Sequence, residues 1–183
     1  MKAWRVLVAL SCLLLSGCLV TFKEPIPANE AAPIPLLGEW SRTNEWGELL
    51  FLDISRAGSN LYKARTYVGS PDNLDSQEEY GFTVAHHGRR WYLSAGLPKK
   101  LGANFAIAGF ELTTGNELVI YNLDVDRIQQ ELELGVLRGK VVAMPEGDGV
   151  LISSPLETVF AYLDDPANSD VFIEVARYQR IGQ

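Results

Sequence analysis

The chain has 183 residues, 47% of them hydrophobic, and 16 Lys and Arg stand against 23 Asp and Glu for a formal net charge of −7. That length suits one domain, able to bury roughly two-thirds of its unfolded surface. The acidic balance argues against nucleic acid and against a polybasic hold on anionic lipid.

The first segment is a targeting signal by its pattern. Lys2 and Arg5 precede an almost wholly apolar stretch from Val6 to Leu15, too short for a stable membrane span. It ends in Leu15-Ser16-Gly17-Cys18, which resembles the lipobox of bacterial lipoproteins: an aliphatic residue, two small ones, then cysteine. The resemblance implies that residues 1–17 are a signal peptide, that the Cys18 thiol receives a diacylglycerol, and that the new amine is acylated with a palmitate-type chain. Two or three acyl chains, at about 0.8 kcal/mol per buried CH2, hold a protein on a bilayer essentially permanently. Leu19 follows the cysteine where Asp would favour inner-membrane retention, so the resemblance implies the bacterial outer membrane. The periplasm-facing leaflet is the default, and surface display is the alternative.

Cleavage before Cys18 would remove Lys2, Arg5 and Cys12, leaving 14 basic against 23 acidic residues, a net charge of −9. With Cys18 acylated, the mature chain would hold no free thiol and no disulfide, and packing alone would stabilise it.

Residues 18–36 carry Pro25, Pro27, Pro33 and Pro35 among small and polar residues. Proline favours extended polyproline II, so this stretch reads as a poorly ordered, semi-stiff tether of about 40–50 Å at full stretch. Residues 37–183 then form a single β-rich domain. Short apolar runs between turn residues predict an antiparallel meander: strands over 38–42, 48–55, 61–68, 79–86, 90–95, 104–112 and 117–123. The period then changes. Asp124 is an N-cap candidate, Val125, Ile128 and Leu132 share a helical face, and Gly135 is a stop. A hairpin follows over 140–143 and 150–153. A second short helix is expected after Ser154, with Pro155 first and Glu157 completing a capping box. Asp164-Asp165-Pro166 ends it, and 171–181 reads as a closing strand.

Gly38-Glu39-Trp40 opens the first strand of that domain. It resembles the Gly-x-Trp motif of lipocalins, in which glycine allows a tight entry and tryptophan plugs the barrel floor. The order of barrel, helix and closing strand echoes the same family, although its Thr-Asp-Tyr type motif has no counterpart here. The resemblance implies a lipocalin-like barrel, open or closed, with one or two short helices near the C-terminus. It also implies an arginine packed on Trp40, a part open to Arg177 or Arg180.

Trp40, Tyr62, Phe82 and Trp91 alternate onto one face of their strands and are the candidate lining of an apolar ligand cavity. The alternative is that they fill the core. His86 and His87 are adjacent, so on a strand they point to opposite faces and do not share a metal. Neither a catalytic dyad, a phosphate loop, a nucleophile elbow nor a zinc-binding helix motif occurs, so no catalytic residue, metal or cofactor is expected beyond the lipid on Cys18. The function expected is a non-catalytic, lipid-anchored envelope protein with a barrel for a hydrophobic small molecule. An accessory subunit that contacts a protein of an envelope assembly or transport machine is the alternative.

Overall fold

The computed structural model describes residues 19–145 and 147–182, so the expected signal peptide and the expected acylation site Cys18 lie outside the described residues. The fold is mainly β. In chain order the strands are β1 (Val20–Phe22), β2 (Gly38–Thr43), β3 (Leu49–Gly58), β4 (Leu61–Val68), β5 (Glu78–His87), β6 (Arg90–Gly96), β7 (Phe105–Leu112) and β8 (Glu117–Leu123). Helix α1 (Val125–Glu133), the hairpin β9 (Gly139–Met144) and β10 (Gly147–Ile152), helix α2 (Leu156–Asp164) and strand β11 (Phe172–Arg180) complete it.

Strands β2 to β8 form an antiparallel meander, and β11 pairs with both β8 and β2, closing an eight-stranded barrel. The expected lipocalin-like architecture is therefore present. The meander arises because each run alternates apolar and polar side chains, and short turns place consecutive runs side by side. The inner face is fixed by register. Trp40 pairs with Leu52, Tyr62 with Phe82, and Trp91 with Phe110, so these side chains all point inward. They form one core with Leu36, Leu118, Ile120 and Tyr178.

A second core lies outside the ring. The insertion between β8 and β11 contributes Ile128, Val150, Phe160 and Leu163, which pack on the outward-facing Ala85, Tyr92 and Ile107 of β5 to β7. Helix α1 begins as its sequence predicts, with the Asp124 carboxylate accepting from the Asp126 and Arg127 amides at 2.9 and 3.2 Å. Helix α2 begins differently. Pro155 is its N-cap and carries no side-chain cap bond. The Ser154 hydroxyl instead accepts from the Arg138 amide at 2.7 Å, tying the helix start to the loop before β9. The predicted capping box is absent because a tertiary partner takes the serine oxygen.

The stretch read as a free tether is part of the body. β7 runs past the point where β8 stops pairing with it, at Gly109 with Tyr121. β1 fills the slot left there, antiparallel to β7 through Thr21 with Ala106, and parallel to β10 through Val20 with Val150. Val20, Phe22 and Ile26 are buried in the outer core. The chain then climbs the wall: the Thr83 hydroxyl donates to the Ile26 carbonyl at 2.6 Å, and the His86 amide to a Glu30 carboxylate oxygen at 2.8 Å. Backbone groups that a solvated polyproline segment would leave to water are satisfied by strand partners instead.

Candidate functional site

The barrel has a sealed end and a looser one. At the sealed end, the Ala32 amide donates to the Tyr62 hydroxyl (2.8 Å) and the Trp40 indole N–H donates to the Leu36 carbonyl (3.0 Å). Leu36, Trp40 and Tyr62 are each 1% exposed, so this end is closed by the chain that enters it. Gly38 makes the entry with φ +119°, and a Cβ there would lie 2.8 Å from Arg180 Nη1. Arg180 is the arginine on the tryptophan, its guanidinium carbon 4.2 Å from the Trp40 ring, with Nη1 donating to the Leu37 carbonyl at 3.1 Å and Nη2 to that of Pro35. Arg177, the other candidate, faces outward and pairs with Glu117 and Glu174.

Trp40, Tyr62, Phe82 and Trp91 are thus brought together on the inner face, as their alternation predicts. Tyr62 and Phe82 rings lie 5.7 Å apart, and Trp91 lies 6.0 Å from Phe110 and 4.8 Å from His86. Trp40 and Tyr62 belong to the sealed floor and pack against protein. His86 stays on the inner side while His87 turns outward and stacks on Phe160 at 3.8 Å, so the two imidazoles part as expected. Among the described residues, no cluster of three or more His, Cys, Asp or Glu has the arrangement of a metal site.

Above the floor the inward positions shrink. Ala64, Ala95 and Ala108 face inward on β4, β6 and β7, and each retains solvent contact, as do Leu93 and Val175. These small inward positions are only partly buried and pack against the inner core formed by the larger side chains. At the loose end, the inward-facing Ile173 is 46% exposed, and Trp46 (57%) and Leu74 (74%) stand in the two loops that flank β3 and β4 there.

Comparison of the chain with protein-family profiles, with curated proteins and with solved structures finds no match.

The inner face also carries polar side chains that sequence reasoning passed over, Arg42 and Tyr80 among them. Arg42 pairs with Leu50 and so points inward; its guanidinium carbon is 5.3 Å from the Tyr178 ring, and its buried Nε has no hydrogen-bond partner among the described residues. A buried donor left unmet favours an acceptor beside it by about 1–3 kcal/mol. Tyr80 donates to Glu78, and burial, followed by that hydrogen bond, holds its phenol well above its ordinary pKa, so it stays a neutral donor. The alternation of β2, with Trp40 and Arg42 on one face, was the signal for Arg42.

Proposed function

We propose that this protein is a lipid-anchored envelope protein, held by Cys18 in the outer membrane and facing the periplasm, whose barrel takes up an elongated hydrophobic ligand with an acidic end. The observation that carries this reading is the set of small, partly buried inward residues Ala64, Ala95 and Ala108, together with Arg42, an inward-facing donor left unmet among the described residues. Small residues leave room for a chain of methylenes, and a guanidinium suits an anionic oxygen. The ligand's apolar body would be driven in at roughly 25 cal/mol per Å² of surface removed from water.

The test is titration with a lipophilic fluorescent probe and with a long-chain carboxylate. Binding in the micromolar range is expected. Ala108→Phe, which adds bulk to the inner face, should weaken both by about tenfold, while Arg42→Gln should weaken only the carboxylate, by a similar factor. Absence of binding by the folded wild-type protein would remove the reading.

A further inference from the structure

We infer that the β9–β10 hairpin rests on the bilayer surface beside the lipid anchor. The inference rests on the reading of Cys18 as the acylated residue, and it concerns how the domain sits once anchored. Leu19 is the first residue described, and its carbonyl accepts from the Val150 amide at 2.9 Å. The acylated residue is therefore covalently next to a backbone that β10 already holds. No free tether stands between the acyl chains and the body.

That geometry puts one particular surface at the membrane. Val20, Val150 and Val141 form a lateral row across β1, β10 and β9. At about 4.8 Å per strand, Val141 lies about 10 Å from the anchored strand. β9 is the outer edge of this side sheet, and no strand pairs with its far side among the described residues. The run Val141-Val142-Ala143-Met144-Pro145 contains no polar side chain. Val141 is 52% exposed, Ala143 and Pro145 are exposed, and Val142 and Met144 are half-buried.

An apolar run on a free edge invites association unless something covers it. Here the anchor supplies the cover, because it holds the run at the interface at high effective concentration. Arg138 and Lys140, both exposed, precede the run and suit lipid phosphates, with their stems lying along apolar surface. Asp148, exposed and opposite Ala143, keeps the contact shallow, at the depth of the headgroups. The occupant is therefore the bilayer interface, and it is reached without insertion of the sheet into the hydrocarbon.

Acylation of Cys18 and loss of Cys12 leave no other thiol, so an introduced cysteine labels uniquely. Ala143→Cys, and Ser59→Cys in the β3–β4 turn on the far side of the ring, would each carry an environment-sensitive fluorophore. The full-length lipidated proteins are incorporated in phosphatidylethanolamine–phosphatidylglycerol vesicles containing spin-labelled lipid. The label at 143 should shift to the blue and be quenched about threefold more than that at 59. Equal, water-like emission from the two labels on floated vesicles would overturn the inference while leaving the anchor intact. Failure to float, with no acyl mass on Cys18, would overturn the anchor and this inference together. A blue-shifted label at 143 in a soluble, unlipidated protein that begins at Leu19 would show that a second copy covers the hairpin, which also overturns it.

Discussion

Gly38, Trp40 and Arg180 form one unit. The glycine's φ of +119° is a conformation L side chains rarely adopt, and the space a Cβ would need is taken by the guanidinium. Gly38→Ala should therefore destabilise by about 1–3 kcal/mol and move Arg180 off the Trp40 ring. Urea unfolding followed by tryptophan fluorescence reads both effects, and an unchanged midpoint would show that the entry tolerates a side chain. The glycine and the tryptophan were legible from three consecutive residues. The arginine was not, since choosing between Arg177 and Arg180 needs the bulge between Glu174 and Ala176 and the pairing of Arg180 with Trp40. These are long-range facts. Arg42 was legible in part: the alternation of β2 puts it on the face of Trp40, although its charge alone reads as surface.

At the scale of elements, local pattern found every strand of the barrel ring, because alternation and turn residues are written in the chain itself. Val20-Thr21-Phe22 shows where that breaks down. The prolines that follow it and its place just after Cys18 read as tether, yet the slot for β1 exists only because β8 stops pairing early. Phe22 is 1% exposed, and the Thr21 hydroxyl donates to the Val150 carbonyl at 2.9 Å. Phe22→Ala should therefore cost about 3–5 kcal/mol, the range for emptying a core aromatic site. A residue in a solvated tether would change stability by no more than about 0.5 kcal/mol. The chemical-denaturation midpoint separates the two outcomes. Ser154 fails as a predicted cap for a kindred reason: a serine oxygen accepts from whichever amide arrives, and here the one that arrives is sixteen residues upstream, at Arg138.

For the whole molecule, closure of the ring depends on β11. Its backbone register with β2 covers only Gln179 with Ser41 and Arg180 with Trp40, whereas with β8 it runs from Phe172 with Leu123 to Gln179 with Glu117. Side chains reinforce the longer seam. Arg177 Nη1 donates to a Glu117 carboxylate oxygen at 2.6 Å, and the Gln179 amide donates to the other at 2.8 Å. The hydrogen bond from Gln179, then the nearby Arg177 charge, hold the Glu117 carboxyl below its ordinary 4.5. A carboxyl depressed in the folded state stabilises it fully above the unfolded value, and the contribution is lost as pH falls through the folded one. Glu117→Gln should therefore lower the urea midpoint near neutral pH, and the gap from wild type should be narrower at acid pH, as pH falls below the ordinary 4.5 through the carboxyl's lower folded value. High salt should narrow it too, because the cluster is solvent-exposed. A gap equally wide at both pH values would show that the carboxylate charge is not what fastens β11 to β8.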